Sequence, residues 1–177
     1  LRHSEEAIVN YRELIENHPD SPYYRPALYG LAWNYYREGT HQWAAERFAR
    51  VHQDHTDALA EKATYYEAVN RYLDNRSADA AALYEQFLDT WPNSPFADQA
   101  TYELGMIRYA QRRYQEANEA FQAVVDDYPN SPRRGDAFYM LGNTYIALNN
   151  FDGAQESFDR AITLDAAPDS LKDAVTF

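Results

Sequence analysis

His52 and His55 stand three residues apart, with Asp54 between them and Asp57 just beyond, and these are residue types that bind zinc. No motif fixes a third ligand at a set spacing, and the absence of cysteine removes thiolate sites altogether, so no metal is expected. His55 and His18 read better as planar groups in a repeated slot that elsewhere holds Trp91 and Tyr128. Arg108, Arg112 and Arg113 lie near one helix end, and Arg133 and Arg134 at the start of another helix. They are the local exception in an acidic chain and the candidates for a small anion-binding patch, the alternative being ordinary surface pairing with carboxylates. Nucleophilic catalysis finds no footing: there is no Gly-x-Ser-x-Gly elbow and no phosphate-cradling glycine loop among only six glycines. Carboxylate pairs such as Asp126-Asp127 suit a solvated helix end. The chain is not expected to be an enzyme or to carry a cofactor.

What positions all of these residues is a repeat. "WPNSP" at 91–95 returns as "YPNSP" at 128–132 and, with two changes, as "HPDSP" at 18–22. Trp91 and Tyr128 are 37 residues apart and His18 and Trp91 are 73 apart, which places a silent copy near His55, in "HTDAL". Before each mark runs a stripe at spacings of four and three: Ala7/Tyr11/Leu14, Ala44/Phe48/Val51, Ala80/Tyr84/Phe87, Ala117/Phe121/Val124 and Ala154/Phe158/Ala161. That spacing is one face of a helix. Thirteen residues after each mark begins a second motif, Leu31-Ala32, Ala68-Val69, Leu104-Gly105 or Leu141-Gly142, followed by Tyr35, Tyr72, Arg108 or Tyr145. The repeating unit is therefore a pair of helices. Within the mark, proline stops one helix, serine is placed to cap the next, and the second proline suits its first position. Pro26 lies too deep for a helix capped at Ser21, so the helix there is expected to begin nearer residues 24–26. Gly39-Thr40, Ser77 and Asn149 to Asp152 mark the turn inside each pair.

These residues resemble the tetratricopeptide repeat family. "FYMLGNTYIALNNFDGAQESFDRAI" (138–162) follows its Leu-Gly, Tyr, Ala, Phe, Ala skeleton, and "YELGMIRYAQRRYQEANEAFQAVVDDYP" (102–129) departs from it at Arg108. The resemblance implies an all-α superhelix of helical hairpins over 1–177. Its full pairs would be 23–55, 58–91, 95–128 and 132–164, with a lone second helix at 1–19 and the start of a further first helix at 168–177. The long period and "YPNSP" link are most similar to repeats of bacterial envelope proteins, which implies a periplasmic or outer-membrane-associated setting rather than a cytoplasmic one. The resemblance also implies that first helices line a concave side where partner peptides or helices bind. Counting from the Leu-Gly slot, the rows on that side are Tyr29, Tyr66, Tyr102 and Tyr139; then Trp33, Asn70, Met106 and Asn143; then Tyr36, Leu73, Tyr109 and Ile146. The second row is expected to be exposed, while the tyrosines serve either as groove or as packing between pairs. The family's clamp for C-terminal carboxylates has a lysine where this chain has tyrosine, so a co-chaperone role is not expected.

Composition bounds the partner. With 28 acidic against 16 basic side chains the net charge is −12, which disfavours nucleic acid and anionic membrane surfaces and favours a partner segment that is apolar, aromatic or basic. No run approaches the ~20 apolar residues of a membrane span. The stripes at both ends lack polar capping faces, which is the expectation for a portion of a longer array. The function expected is a protein-binding scaffold. Self-association, or a regulatory or localising role within a larger enzyme, is the alternative.

Overall fold

The computed structural model describes residues 2–164, with side chains from residue 8 onward. Among the described residues there are nine helices and no strand: α1 (Arg2–Asn17), α2 (Tyr24–Arg37), α3 (His41–His52), α4 (Ala58–Leu73), α5 (Ser77–Thr90), α6 (Ala97–Ala110), α7 (Tyr114–Asp127), α8 (Arg134–Ala147) and α9 (Phe151–Thr163). The first helix expected at 168–177 lies outside them. Helices α1–α5 cluster into one compact unit that ends at Ser94, and α6–α9 into a second that begins at Pro95. Within each unit every helix packs on its sequence neighbours.

The stripes form the cores. In the first unit Ala44, Phe48 and Val51 meet Leu28, Ala32 and Ala63. In the second, Ala117, Phe121 and Val124 meet Ala137, Phe138 and Leu141. The Leu-Gly slot is small because a ring lies on it: a Cβ built on Gly105 would come within 2.7 Å of Cε1 of Phe121.

One residue closes the turn inside each hairpin. Gly39, Asn75, Arg112 and Asn149 have φ of 73°, 60°, 61° and 60°, the left-handed region that ends helices. The next amide then reaches back to the carbonyl five residues earlier, as in Thr40 N–H to Tyr35 O (2.9 Å) and Arg113 N–H to Arg108 O (2.9 Å). Asn150 caps α9, accepting from the Gly153 amide at 3.1 Å. Ser77 lies inside α5, one residue past the cap position.

The marks work differently from the expectation. Ser21, Ser94 and Ser131 close a turn by donating their amides to His18, Trp91 and Tyr128, and the helix starts three residues after the serine. Ser131 Oγ accepts from the Arg133 amide at 3.0 Å and donates to Asp98 Oδ2 at 2.5 Å, so it orders a second turn instead of capping the helix. Helix α2 begins at Tyr24, which leaves Pro26 in the first turn, where no amide is needed.

The silent mark has its own device. Asp57 caps α4, accepting from Leu59 N–H (3.1 Å) and Ala60 N–H (2.9 Å). Arg25 of α2 grips both carboxylate oxygens at 2.7 and 3.0 Å and donates through Nε to Val51 O at 2.8 Å. A side-chain clamp across α2, α3 and α4 thus stands where the other links have prolines. This link is also one residue shorter: Ala44 to Ala80 is 36 residues, Ala80 to Ala117 is 37.

Candidate functional site

On a helix, residues four and three apart share a face, so each first helix presents one residue from each expected row on a common side. In the first unit that side is an aromatic cluster. Tyr29 lies edge-on to Phe48 with centroids 5.5 Å apart, and Trp33 touches Tyr29, Tyr36, Phe48 and Tyr66, the last at 4.5 Å. In the second unit Tyr102 leans on Phe121 at 5.6 Å and Tyr139 on Phe158 at 5.9 Å. In all three cases the tyrosine of a first helix rests on the ring 19 residues later in its own hairpin. Each of these tyrosines remains half-buried, one flank on the core and one outward. Arg133 sits over the Tyr102 ring at 5.5 Å, and burial pushes the Tyr102 phenol up to about 12.

Beyond the tyrosines, Met106, Tyr109 and Asn143 are half-buried, while Leu73 (43%) and Ile146 (48%) are exposed. Tyr109 meets Tyr114 at 5.4 Å, and the Asn143 amide points to Met140 Sδ at 3.9 Å.

The second hairpin corrects the expected register. The short link moves every equivalent position back by one, so Tyr65, Val69 and Tyr72 occupy the places expected for Tyr66, Asn70 and Leu73. Asn70 is fully buried at 0% exposure, in line with Asn34, Ile107 and Thr144, which are buried in the other hairpins. Its amide donates to Tyr66 O (2.7 Å), and its oxygen accepts from His41 Nδ1 (3.0 Å), so it cannot face a peptide. Tyr65 is buried against Tyr84 and Phe87, and Tyr66 instead stacks on Phe48 of the preceding hairpin. Trp33, expected to be exposed, is half-buried because four rings surround it.

The arginines do not form a patch. Arg108, in the last turn of α6, and Arg112 and Arg113, in the turn that follows, lie before α7 and Arg133 and Arg134 past its end, so a helix of 14 residues, about 20 Å long, separates the two groups. Arg108 and Arg113 both pair with Glu116, Arg133 bonds Asp136 (3.1 Å) and Gln99 (2.6 Å), and Arg134 covers the Phe138 ring with its Nε buried and unpaired.

One polar group escaped the sequence analysis. Glu67 is buried in α4, where it takes His52 Nε2 at 2.6 Å and Arg71 Nη2 at 3.0 Å. His52 is therefore committed to a carboxylate, and among the described residues no group of three or more metal-ligating side chains is assembled. Glu67 holds the position of Leu31, Leu104 and Leu141, and counting 36 residues from Leu31 is the signal that finds it.

Two family models, both described as Tetratricopeptide repeat, match residues 66–132 and 108–172. No curated protein matches the chain in sequence. Solved structures with similar folds include MamA (19% identity over 90% of this chain and 87% of that one, TM-score 0.75). Another is YrrB, described as a TPR protein with an unusual peptide-binding site (23%, 95% and 80%, 0.75). BtubC from P. vanneervenii is a third (19%, 93% and 74%, 0.76). At these identities the likeness establishes the fold class, all-α and built of helical hairpins.

Proposed function

The chain belongs to the tetratricopeptide repeat family, matched in two overlapping stretches that together span residues 66–172, and from that premise we propose that it is a non-catalytic scaffold binding a peptide or helical segment of a partner protein. The contact face in each unit is the aromatic side of its first helices: Tyr29, Trp33 and Tyr36 on α2 with Tyr66 and Tyr72 on α4 in the first unit, and Tyr102, Met106 and Tyr109 on α6 with Tyr139, Asn143 and Ile146 on α8 in the second. One observation carries this reading. In three hairpins a tyrosine is seated on its own hairpin's second-helix ring, which fixes its rotamer and leaves an outer edge for contact. A ring held in this way loses little entropy on binding and supplies large amphipathic contact area. The exposed Tyr72 and Ile146 extend the face. The peptide-binding site in the description of YrrB supports the same use of the fold, and the linker style supports a cell-envelope assembly as its setting.

The partner segment is apolar or aromatic, flanked by basic residues that answer a net charge of −12. Selection from a displayed random-peptide library enriches such segments. Ile146→Ala and Met106→Ala then weaken the selected peptide by about 2 kcal/mol and leave the melting temperature near wild type. Wild-type affinity in both variants refutes the assignment of this face.

A further inference from the structure

Helix α2 has a second working side. Leu31 and Tyr35 lie roughly opposite Tyr29, Trp33 and Tyr36 on its circumference. There, between α1, α2 and α3, is a cavity of about 370 Å³ whose floor is Ile15 and Leu31 and whose rim carries Arg12, Arg47, Arg50 and Tyr35. In a chain with 16 basic residues against 28 acidic ones, three arginines converge here, and Glu16 is the carboxylate that joins them in the lining. They are held mainly by neutral groups. Arg12 Nη2 donates to the Tyr35 hydroxyl at 2.9 Å, Arg50 donates to the Tyr24 hydroxyl, and Arg47 lies over the Trp43 ring at 5.9 Å, with Glu46 no nearer than 3.9 Å. Trp43 is 51% exposed and stands 6.5 Å from Tyr35, so an open indole adjoins the cationic rim.

The repeat supplies an internal comparison. In the second unit, 110 residues later, a cavity of about 300 Å³ has Val125, Leu141 and Tyr145 in the places of Ile15, Leu31 and Tyr35. Gln122 stands there for Arg12, Ser157 for Arg47, and Arg160, in the place of Arg50, pairs with Glu156 at 2.8 Å. The fold builds this cavity with neutral residues in the places of Arg12 and Arg47, so those two arginines of the first unit are not required to shape it.

We propose that the α1–α3 cavity is a second docking site, which takes an acidic polypeptide segment with an apolar anchor residue. Carboxylates of the segment pair with the arginine forks, the anchor fills the floor of Ile15 and Leu31, and Trp43 covers it. Tryptophan, tyrosine and arginine around an apolar pocket are the side chains on which binding energy concentrates. A short segment is favoured over a second copy of the chain, because two whole molecules at −12 each repel.

The probe is a fluorescein-labelled peptide of glutamates and aspartates around a central phenylalanine, titrated with the full chain at low and moderate salt. Saturable binding that weakens as sodium chloride rises is expected, with about a tenfold loss in Arg12→Gln/Arg47→Ser, which copies the second-unit cavity, and a similar loss in Trp43→Ala. Both variants are expected to melt like wild type, Arg113→Ser to keep wild-type affinity as a charge control, and Ile146→Ala to leave this binding unchanged, which separates the site from the first-helix face. Absence of saturable binding at low salt, or a double variant that binds within about twofold of wild type, overturns the proposal. A concentration-dependent dimer in sedimentation that the double variant abolishes also overturns it, by making a second copy the occupant.

Discussion

Arg112 holds a left-handed backbone, φ 61°, at a turn where its counterparts are Gly39, Asn75 and Asn149. A side chain with a Cβ costs about 1–2 kcal/mol in that region, and asparagine tolerates it better than arginine does. Arg112 is exposed, and its own side chain anchors nothing described above. Arg112→Gly is therefore expected to raise the free energy of unfolding by roughly 1 kcal/mol, read as a shift of the urea midpoint at unchanged slope. A lower midpoint would mean that the guanidinium contributes more than the backbone strain costs. At this scale Tyr29, Tyr102 and Tyr139 were readable in advance, because a fixed period maps directly onto a fixed helix face. Tyr66 and Asn70 were not. A single missing residue in a link turns a helix face by 100°, and "HTDAL" has none of the prolines that show where the count slips.

At the scale of the element, that link shows how one junction replaces another. The proline marks fix their turns by covalent restriction, whereas the α3–α4 junction depends on Arg25 and Asp57, and so acquires a dependence on pH. Hydrogen bonds from Arg25, then the Ala60 amide, hold the Asp57 carboxyl well below its ordinary value of 3.8. A carboxyl lowered by folding adds stability above its unfolded value and loses it as pH falls from there. Asp57→Asn keeps the helix cap but loses the ion pair, a partly exposed one worth about 1 kcal/mol. The expected result is a variant less stable than wild type at pH 7, with the gap in thermal unfolding narrowing steadily as pH drops below 3.8. A gap that stays constant across that range would assign the effect to packing. The helices themselves were legible from the stripes, since Ala-x3-aromatic-x2-apolar has one reading. The role of serine in the marks was not, because capping and turn formation both ask for a short oxygen-bearing side chain, and only the backbone decides between them.

For the whole molecule, stability is local by construction. Within each unit a helix leans on its neighbours in sequence, so damage is expected to spread along that unit in proportion to proximity. Phe121 is fully buried in the second unit and also holds Tyr102 in place. Phe121→Ala is expected to cost about 3–5 kcal/mol, and in hydrogen exchange to lose protection in α6–α8 well before α2 and α3. Uniform loss across both units would show instead that the chain opens as one cooperative body. Charge is the other whole-molecule property. The net acidity was plain in the composition, yet it concealed the cluster at Arg12, Arg47 and Arg50, since residues 38 positions apart in sequence converge only once α1 and α3 lie side by side on α2.

The placement of the tryptophans gives these faces separate optical signatures. Trp33 is ringed by tyrosines, from which it collects excitation energy, whereas Trp43 stands in the open, exposed to water beside the Arg47 guanidinium. With Trp91 replaced by phenylalanine and one indole kept at a time, light absorbed by tyrosine and emitted by Trp33 reports on one side of α2. The solvent shift of Trp43 reports on the other, so a ligand announces without any added label which surface it has taken.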